Sequence, residues 1–598
     1  MCALSGGLFL PLLSNAECKR AAVDLPVTIS GTRALIDAKI NHQDVRLLVD
    51  SGAFFSIVSA AVAEEFKLKI GPAPYGFSLR GVGGTTQPSV GTAKVFTLAN
   101  VDIPNVEFLV GGSEAGAGSS GVLGQNFLVN WNVEYDLAKG AIRLFKDTDC
   151  SKQFLAYWVA QAQQLPYTVT NIEKVTPRYP HAIGHAYING EKIKVLFDSG
   201  AFRSVLSLKA AERAGVKADS PGVIEGGLTG GVGRNLVRSY IAPFTSFKFA
   251  DGEEIKNARL RVADIDIGLA DMLIGADFFL SHRIFVANSQ GKLYFTYNGG
   301  PVFDLRPTSK LTASDQAPAD SAPAADIKAQ EPNSNPPLGV PEDAAALARR
   351  GTASAARGDN EHALADLTRA VELSPNSADY LYERGEVLLR TKEPQKALND
   401  FNAALELKPE YIPALLSRAQ LRINMRNIPE AGADLEAIDH LAAKQADVRY
   451  EVGLAYARAG LLPAAIAQFD LWIASHADDG RIILALNDRC KARGALGQDL
   501  PAALKDCNAA YSRGDSQSAA AILDNRALVR LRLGDFDKAI SDYSAAIKLL
   551  PKNAWALYGR GLAEFKENNR SQGEADVAQA VALAPGVAEA YKKMGLAP

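Results

Sequence analysis

Between residues 24 and 300 the chain alternates short apolar runs with glycine-rich turns. The runs are rich in β-branched and aromatic residues, which favour strands, and they are too short for ordinary helices. They are Val45–Val49, Lys94–Leu98, Val106–Val110, Ile142–Phe145, Lys194–Phe197, Phe244–Phe249 and Lys292–Tyr297. Many short strands separated by glycine predict an all-β region of the barrel or sandwich class.

From residue 342 onward the pattern becomes helical and repeats with a period of about 34 residues. Each unit has a small residue in its first helix and, in its second, an alanine followed four positions later by a bulky residue. The small residues are Gly351, Gly385, Ala419, Gly453, Ala527 and Gly561; the alanines are Ala363, Ala397, Ala431, Ala465 and Ala539; the bulky residues are Leu367, Phe401, Leu435, Phe469 and Tyr543. This pattern resembles the tetratricopeptide repeat (TPR), a helix–turn–helix unit that stacks into an all-α solenoid. We expect residues 342–598 to form about seven repeats and a closing helix, Ala588–Leu596.

Between these two regions, residues 303–340 are rich in Pro, Ala, Ser and Asp. Such a segment buries too little apolar surface to offset the entropy of ordering, so we expect a flexible linker. The 598 residues are too many for one hydrophobic core, which indicates a multidomain protein. A net charge of −3 gives no reason to expect nucleic acid, and no apolar run reaches the roughly 18 residues of a membrane span.

Two segments of the β region are near copies of each other. DAKINHQDVRLLVDSGAFFSIVS (37–59) and HAYINGEKIKVLFDSGAFRSVLS (185–207) align without a gap, at an offset of 148 (185 − 37). Each copy ends an apolar run with Asp-Ser-Gly, at Asp50-Ser51-Gly52 and Asp198-Ser199-Gly200. A duplicated scaffold that delivers one carboxylate per copy can bring the two together across a two-fold axis.

The order of residues in each turn fits a paired-carboxylate site. Gly52 and Gly200 let the backbone approach its symmetry mate, and the hydroxyls of Ser51 and Ser199 can hydrogen-bond across the axis. Two carboxyls within hydrogen-bonding reach cannot both ionise cheaply, so they share one proton. The charged member can then take a proton from water while the protonated member polarises a peptide carbonyl.

A second element follows each aspartate at a similar interval, namely Leu123-Gly124 in the first copy and Ile274-Gly275 in the second. With the Asp-Ser-Gly turns it resembles the retropepsin-like aspartic peptidases, in which this strand supports the catalytic loop. The resemblance implies two all-β acid-protease domains, residues 24–148 (the first half) and 165–300 (the second half). They would form an intramolecular pseudo-dimer with Asp50 and Asp198 as its catalytic residues.

In that family a glycine-rich hairpin, the flap, closes over the substrate. The corresponding positions here are Gly81, Val82, Gly83 and Gly84 in the first half and Leu228, Thr229, Gly230 and Gly231 in the second. Backbone amides of such a hairpin can bind an extended peptide as an added strand. The resemblance therefore implies a peptide or protein substrate.

The sequence also departs from the family. Both aspartates are followed by Ser where Thr is frequent, and Gln125 and Ala276 replace the arginine of retroviral members. Asn126 and Asp277 come next, and we expect them to hold local loops by hydrogen bonds. The units are more similar to bacterial and eukaryotic members than to viral ones.

The N-terminus and the cysteines indicate the cellular compartment in which the protein works. Residues 1–16 resemble a secretory signal peptide, with an apolar run Ala3–Leu13 and small residues before Glu17, but without a basic start; the alternative is a packed or disordered tail. Cleavage would leave Cys18, Cys150, Cys490 and Cys507, an even number. Cys18 and Cys150 flank the first half, and Cys490 and Cys507 fall on the two helices of the fifth repeat. We expect two disulfides and a periplasmic or secreted protein; four buried thiols in a reducing compartment are the alternative.

The sequence predicts no metal site and no cofactor. His181 and His185 are spaced i, i+4 but lie in a loop and a strand with Gly184 between them, and no Cys-x-x-Cys occurs. The glycine cluster 111–121 lacks the Lys-Ser or Lys-Thr end of a phosphate-binding loop.

These features together predict an aspartic endopeptidase whose TPR array recruits a substrate or a partner protein on its concave face. One alternative is a non-catalytic scaffold whose β domains hold peptides and whose main function is TPR-mediated interaction. Another is a protein in which each β domain pairs with its equal in a second chain, which would make it an obligate dimer.

Overall fold

The computed structural model describes residues 18–305 and 343–597, apart from gaps at 75–78, 82–83, 112–118, 149, 151–152, 162–165, 177–179, 230–236, 250–251, 478 and 515–518. The predicted signal peptide, 1–16, and nearly all of the predicted linker lie outside the described residues. Among the residues that the structure does describe, no helix is long and apolar enough to span a bilayer.

The first half is built from β-strands with two short helices. Its strands are β1 (Lys19–Ser30), β2 (Arg33–Ile40), β3 (Gln43–Val49), β4 (Ile57–Val58), β5 (Lys69–Pro72), β6 (Leu79–Gly81), β7 (Gly84–Thr86), β8 (Ser89–Leu98), β9 (Val101–Val110), β10 (Gly121–Leu123), β11 (Asn132–Asp136) and β12 (Ala141–Thr148), and its helices are α1 (Ala60–Glu65) and α2 (Gln125–Leu128). A short 3-10 helix, Leu137–Lys139, joins β11 to β12. The β class predicted from the alternating pattern is therefore correct.

The second half repeats these elements after a connecting helix, α3 (Tyr157–Gln161). Its strands are β13 (Thr168–Asn171), β14 (Ile183–Ile188), β15 (Glu191–Phe197), β16 (Val205–Ser207), β17 (Ile224–Thr229), β18 (Val237–Pro243), β19 (Ser246–Phe249), β20 (Glu254–Lys256), β21 (Arg259–Ala263), β22 (Met272–Ile274), β23 (His282–Ala287) and β24 (Lys292–Tyr297), and its helices are α4 (Leu208–Arg213) and α5 (Ala276–Ser281). The predicted strand Phe244–Phe249 was placed too early, because the chain turns after Pro243 and the strand begins only at Ser246.

The two halves share one sheet, in which the strand order is β13-β24-β23-β11-β12-β1. At its centre β11 pairs antiparallel with β23, with Tyr135 opposite Ile284 and Val133 opposite Val286. In the duplicated sequence Val133 corresponds to Ile284 and Tyr135 to Val286. Val133 therefore faces the counterpart of Tyr135, and Tyr135 faces the counterpart of Val133, so the pairing is symmetric about a two-fold axis. The pseudo-dimer is therefore closed within one chain.

In the described part of the C-terminal region, helices come as seven pairs followed by one closing helix. They are α6 (Ala344–Arg357) with α7 (Asn360–Leu373), α8 (Ala378–Arg390) with α9 (Pro394–Leu407), α10 (Ile412–Asn424) with α11 (Ile428–Leu441), α12 (Val448–Arg458) with α13 (Leu462–Ser475), α14 (Ile482–Leu496) with α15 (Leu500–Arg513), α16 (Ala519–Leu533) with α17 (Phe536–Leu549), α18 (Ala554–Lys566) with α19 (Arg570–Leu583), and α20 (Val587–Lys593). This is the solenoid that the sequence period predicts.

The recurrent small and bulky positions of the period meet inside each pair. A Cβ added to Gly385 would lie 2.6 Å from the ring of Phe401, and one added to Gly453 would lie 2.6 Å from the ring of Phe469. Since real Cβ atoms do not approach other atoms so closely, glycine is needed there for the helices to pack at this distance.

The first helices of the array pack on the β region. Ala353 of α6 is buried in the same apolar cluster as the β core. Gly140 passes so close to Arg349 of α6 that any Cβ would overlap it. Burial raises the pKa of Glu383 on α8 to about 8, and the nearby charge of Arg46 on β3 is one of those that oppose this rise. The helical array is thus docked on the β region and not merely tethered to it.

Two disulfides join different elements of the described structure. Cys18, just before β1, is bonded to Cys150, which follows β12, so the first and last strands of the first half are joined. Cys490 on α14 is bonded to Cys507 on α15, within the fifth helix pair. Both pairings are those anticipated from the positions of the cysteines.

Candidate active site

Each Asp-Ser-Gly turn begins where a buried strand ends. Asp50 follows β3, and its backbone N–H donates to the carbonyl of Leu123 on the parallel neighbour β10, at 3.0 Å. Asp198 follows β15, and its N–H donates to the carbonyl of Ile274 on β22, at 2.9 Å. The apolar–glycine element thus lies beside the turn and fixes where the aspartate emerges.

The two aspartates meet across the pseudo-two-fold axis. The carboxyl groups of Asp50 and Asp198 are hydrogen-bonded to each other, and both residues are half-buried, so solvent still reaches them. Gly52 lies directly against the carboxyl of Asp198, and Gly200 directly against that of Asp50; a Cβ at either position would overlap the carboxyl. Glycine in each turn is therefore required by the close approach of the opposite acid.

Each carboxyl is also held by its own turn. One oxygen of Asp50 accepts hydrogen bonds from the backbone N–H groups of Gly52 and Ala53, both at 2.8 Å. The matching oxygen of Asp198 accepts from the two corresponding amides at 3.0 Å each. These bonds fix the rotation of the carboxyl groups and favour their charged forms.

The serines lock the two turns together. The hydroxyl of Ser51 donates to the carbonyl of Phe197 (2.9 Å) and accepts from the N–H of Ser199 (2.9 Å). The hydroxyl of Ser199 donates to the carbonyl of Val49 (2.8 Å) and accepts from the N–H of Ser51 (3.1 Å). We call these four reciprocal bonds the serine grip. Because both serines are buried, the bonds are shielded from water and hold the dyad, Asp50 and Asp198, in register.

Burial dominates the electrostatics of the dyad. It raises the pKa of Asp50 above the ordinary value for aspartate, against the opposing hydrogen bonds from Asp198 and from its own turn. Burial also raises the pKa of Asp198 above the ordinary value, and the charge on Asp50 adds to the effect. The pair therefore titrates as one unit that holds a single proton over a wide pH range.

The family comparisons agree with this geometry. Residues 36–130 match the family model described as "gag-polyprotein putative aspartyl protease", and residues 185–278 match one described as "Aspartyl protease". Residues 348–412 and 527–567 match models of tetratricopeptide repeats. The chain carries two aspartyl protease family domains followed by TPR repeats.

Among curated proteins, the comparison finds no match. Solved structures similar to the chain include a TPR protein from Parabacteroides merdae ATCC 43184 (19% identity, 42% of this chain and 97% of that one, TM-score 0.33). Two others are the APC/C hetero-tetramer Cut9-Hcn1 (15%, 42% and 48%, 0.31) and YrrB, a TPR protein with an unusual peptide-binding site (17%, 38% and 98%, 0.23). All three TM-scores lie below 0.5, and nothing about the function of this chain rests on them.

The residues that follow each apolar–glycine strand support the loops that carry the Asp-Ser-Gly turns. In the first half, Asn126 Oδ1 accepts from the N–H of Ser56 (2.8 Å) and from its hydroxyl (2.9 Å). In the second half, Asp277 Oδ1 accepts from the N–H of Ser204 (2.9 Å) and from its hydroxyl (2.7 Å). Asn126 and Asp277 do hold local loops by hydrogen bonds, as the sequence led us to expect.

The hydrogen bonds that support the Asp-Ser-Gly loop nevertheless differ between the two halves. Gln125 Nε2 donates to the carbonyl of Ser51 at 2.8 Å, a bond that Ala276 cannot make in the second half. Asp277 Oδ2 also accepts from the N–H of Asp304 at 2.9 Å, and the carboxylate of Asp304 pairs with Arg203 at 3.0 Å. The chain after β24 therefore braces the Asp-Ser-Gly loop of the second half.

The predicted flaps are partly described. Gly81 and Gly84 end and begin the paired strands β6 and β7, which form a hairpin, whereas Val82 and Gly83 lie outside the described residues. Leu228 and Thr229 end β17, which pairs with β18, and Gly230 and Gly231 lie outside the described residues. Hairpin strands thus flank both predicted flap tips.

Three residues near the dyad were not predicted as site residues, although His181 was considered from its spacing as a metal ligand and rejected. Tyr135 is 1% exposed, and burial raises the pKa of its hydroxyl, with the charges of both dyad aspartates acting in the same sense. His181 Nε2 lies 3.0 Å from the carbonyl of Gly52, and its ring packs edge-on against Phe54 at 5.8 Å. The guanidinium of Arg33 lies 4.4 Å over the ring of Phe202.

Arg33 and His181 are positional counterparts, and each belongs to one half while contacting the Asp-Ser-Gly loop of the other. The duplication could have revealed them, because the offset between them is the one that relates Asp50 to Asp198. No comparable signal in the duplicated sequence pointed to Tyr135, because its counterpart, Val286, is a different type of residue. Within the described residues, no group of three or more His, Cys, Asp or Glu side chains is arranged to hold a metal ion.

Proposed function

We propose that this protein is an aspartic endopeptidase that hydrolyses peptide bonds on the Asp50/Asp198 dyad. The observation that carries the proposal is the pair of mutually hydrogen-bonded carboxyls, one from each protease domain, held by the serine grip. A scaffold without this chemistry would not need two acids in contact, because placing them together costs free energy at neutral pH.

The proposed mechanism needs one charged and one protonated carboxyl, and we assign the charge to Asp50 and the proton to Asp198. Asp50, the charged member, takes a proton from a water molecule placed between the carboxyls, and the resulting oxygen nucleophile attacks the peptide carbonyl carbon. Asp198 donates its proton to the carbonyl oxygen, which gives a neutral tetrahedral diol. Transfer of a proton from Asp50 to the amide nitrogen then lets the C–N bond break, and Asp198 regains a proton as the new carboxyl group forms.

We propose an extended polypeptide as the substrate, bound along the hairpin strands as an added strand. Arg33 over Phe202 and His181 beside Phe54 occupy equivalent places in the two halves but differ in charge. A pseudo-dimer with different groups at these two places would prefer different side chains on the two sides of the scissile bond. The TPR array, docked on the β region, would recruit the substrate or a partner protein.

The decisive experiment replaces each aspartate separately in the full chain. Wild type, Asp50→Asn, Asp198→Asn and the exposed-site control Asp219→Asn are incubated with a peptide library from pH 3 to 8, with and without a pepstatin-like inhibitor. We expect cleavage by wild type and control, and a loss of roughly 10³-fold or more in both dyad variants. Retained activity in one dyad variant would show that the acids do not form one site. Peptide binding without cleavage by wild type would favour the scaffold alternative.

We also propose that the protein works in an oxidising compartment, the periplasm or the cell exterior. The support is the pair of disulfides, which persist in such compartments and are rare in the cytosol. Thiol alkylation followed by mass spectrometry of protein taken from its native compartment tests this, because four alkylated cysteines would contradict it.

A further inference from the structure

A buried arginine lies under the base of the hairpin β17–β18 in the second half. Arg261 belongs to β21, which pairs with β18 in the nine-stranded sheet, and it is 2% exposed. Its neighbours Leu260 and Val262 are buried in the β core, so the alternation of a strand directs the side chain of Arg261 to the opposite face. Ala263 shares that face and lies in one apolar cluster with Val205, the residue at which β16 begins after the Asp-Ser-Gly loop.

The acceptors of Arg261 lie on both strands of the hairpin. Its Nη1 donates to the carbonyl of Gly226 on β17 at 2.6 Å and to the hydroxyl of Ser239 on β18 at 2.7 Å. That hydroxyl is fully buried and donates in turn to the carbonyl of Gly227 at 2.9 Å. One guanidinium thus reaches across β18 and holds two consecutive carbonyls of β17, one directly and one through Ser239.

These two carbonyls lie at a β-bulge. The register of β17 against β18 shifts between Glu225 and Gly227, so Gly226 is the extra residue of the bulged strand. A bulge disrupts the ladder of backbone hydrogen bonds, and Arg261 and Ser239 supply side-chain donors at that point. A Cβ on Gly226 would lie 2.8 Å from Nη1 of Arg261, so glycine is required for the guanidinium to approach this closely.

The equivalent positions of the first half carry no hydrogen-bond donor in their side chains. The strands β4 and β9 correspond to β16 and β21, and the parallel register of each pair places Leu109 at the position of Arg261. The antiparallel register with β8 and β18 then places Pro88 at the position of Ser239. Among the described strands, β6 and β7 form a sheet of their own, whereas β17 and β18 belong to the nine-stranded sheet. The two hairpins are therefore held differently.

The guanidinium keeps its charge in this buried place. Burial lowers the pKa of Arg261 to about 10, and the charge of Arg203 acts in the same sense, whereas Asp304 and Asp277 oppose the shift. Arg261 therefore stays protonated between pH 3 and 8, the range proposed above for the cleavage assay. Hydrogen bonds from a charged donor are stronger than those between neutral groups.

We propose that Arg261 is a positioning residue that fixes the bulge of β17 and so holds this strand in place for the substrate. β17 is the outermost strand in the order of the nine-stranded sheet, and an extended peptide can add to such an edge. A strand that is already fixed binds the peptide more tightly, because less ordering is needed on binding. The role in substrate binding rests on the proposed peptidase function, whereas the anchoring of the hairpin does not.

Hydrogen exchange of the full chain, followed by mass spectrometry in peptides that cover β17 and β18, tests the anchor. Arg261→Leu gives the second half the residue of the first, and the hairpin amides should then exchange at least about tenfold faster, the factor that one charged hydrogen bond carries. Arg261→Lys keeps a charged donor and should restore part of the protection. Arg259→Leu is the matched control, since Arg259 lies on the same strand and its exposed bond, 3.3 Å to the carbonyl of Gly222, lies outside the hairpin. It should leave the exchange of the hairpin unchanged.

Two outcomes would overturn the anchor. One is equal exchange in wild type and Arg261→Leu, and the other is faster exchange spread evenly over the second half, which would make Arg261 a core residue only. Should Arg261→Leu fail to fold, Ser239→Ala carries the test, because it removes only the hydroxyl that bonds to Gly227. A smaller increase confined to the hairpin is then expected, and no increase would overturn the anchor.

Cleavage kinetics test the role in substrate binding. KM should rise about tenfold in Arg261→Leu with kcat little changed, because the dyad is untouched and a fixed strand binds substrate and transition state alike. An unchanged KM together with faster exchange would overturn this role and leave the proposed function intact. If wild type cleaves no peptide, the proposed function fails; the affinity for library peptides then takes the place of KM, and the exchange measurements still decide the anchor.

Discussion

The two protease domains are alike at the axis and different one layer away from it. Each supplies one aspartate, one serine of the grip and one glycine that accommodates the opposite acid. Behind these, the first half uses an exposed Asn126 and a buried Gln125, whereas the second uses a buried Asp277 and an alanine.

The difference shows which features the chemistry constrains. Two carboxyls can share a proton only within hydrogen-bonding reach, so any change at the axis affects both halves at once. The loop supports act on one half each, and a duplicated domain can change them independently once both copies lie in the same chain. Asymmetry therefore accumulates in the support of the loops while the dyad keeps its two-fold form.

The largest expected difference between the halves is the cost of losing the loop support. Asp277→Ala removes the acceptor for the N–H and hydroxyl of Ser204 and for the N–H of Asp304, all in a buried place, and should lower the free energy of unfolding by about 3 kcal/mol. Asn126→Ala removes only the two bonds to Ser56 at an exposed place, and about 1 kcal/mol is expected. Chemical denaturation of both variants measures the difference.

Asp277→Asn is the control for this comparison, since it gives the second half the residue type of the first. The amide can still accept from Ser204 but presents N–H groups to the N–H of Asp304, so an intermediate loss is expected. Equal losses in Asp277→Ala and Asn126→Ala would show that the extra bonds of the second half do not stabilise it.

The next largest effect concerns the two acids themselves. Burial and the charge of Asp50 raise the pKa of Asp198 well above that of an unfolded chain. The folded protein thus retains a proton that the unfolded chain releases, so this contribution to stability is complete below the unfolded pKa, about 3.9, and is lost as pH rises through the folded value. Asp198→Asn carries no such charge, so its melting temperature should exceed that of wild type by more at pH 8 than at pH 4.

Asp50→Asn provides the comparison across the axis. Burial raises the pKa of Asp50 as well, so Asp50→Asn should also gain more relative to wild type at pH 8 than at pH 4. Melting curves for the three proteins between pH 4 and 9 test both statements. Parallel pH profiles for wild type and both variants would mean that the dyad does not share a proton.

A smaller effect is expected at Gln125, which only the first half possesses. Gln125→Met keeps the volume but loses the bond to the carbonyl of Ser51, while it also removes a buried Oε1 that has no hydrogen-bond partner among the described residues. The two changes offset each other, so a loss below about 1 kcal/mol is expected, against about 2 kcal/mol for Gln125→Ala, which leaves a cavity. If the methionine variant were as unstable as the alanine variant, the hydrogen bond and not packing would be the main contribution.

The features that the sequence predicts correctly are those that appear as short local patterns and recur, either in the two β halves or in successive helical repeats. The strand before Asp50, the glycine after it and the strand that contains Leu123 lie beside one another as expected, since each is a local pattern that occurs twice. The helix pairs follow in the same way, because the small residue at Gly385 and the bulky residue at Phe401 must meet.

A repeated ion pair was overlooked although the sequence contained it. An arginine precedes the small residue of the first helix, and an aspartate precedes the bulky residue of the second. They pair inside each of five repeats, as Arg350–Asp366, Arg384–Asp400, Arg418–Asp434, Arg526–Asp542 and Arg560–Asp576. The hydrophobic period is defined by the apolar positions alone. The charged positions immediately before them recur with the same spacing and would have predicted the ion pairs.

The position of Tyr135 at the axis could not be predicted from the sequence, for a different reason. A tyrosine in an apolar strand is ordinary core, and its place at the pseudo-two-fold axis arises only because β11 pairs with β23 of the other half. The brace from Asp304 likewise depends on where the chain runs after β24. Contacts between segments so distant in the chain leave no local pattern unless both partners are duplicated.

The smallest predicted effect concerns His181, one of the two residues that cross between the halves. The carbonyl of Gly52 accepts from His181 Nε2, so Nδ1 is the bare nitrogen, and it is buried without a hydrogen-bond partner among the described residues. Burial lowers the pKa of His181, so the unfolded chain binds a proton that the folded protein rejects. This contribution to stability is present above about pH 6.5 and is lost as pH falls toward the lower folded pKa, although the charge of Asp50 acts in the opposite sense.

His181→Gln and Arg33→Gln, matched changes in the two halves, separate this titration from the loss of a cross-half contact. The glutamine of His181→Gln can still donate to Gly52 but does not titrate, so its unfolding free energy should fall less than that of wild type between pH 7 and 5. Arg33→Gln should leave the pH dependence of wild type unaltered in this range, because the guanidinium stays charged throughout. Denaturant titrations at pH 5, 6 and 7 measure all three, and a steeper profile for His181→Gln than for wild type would contradict the neutral, buried histidine.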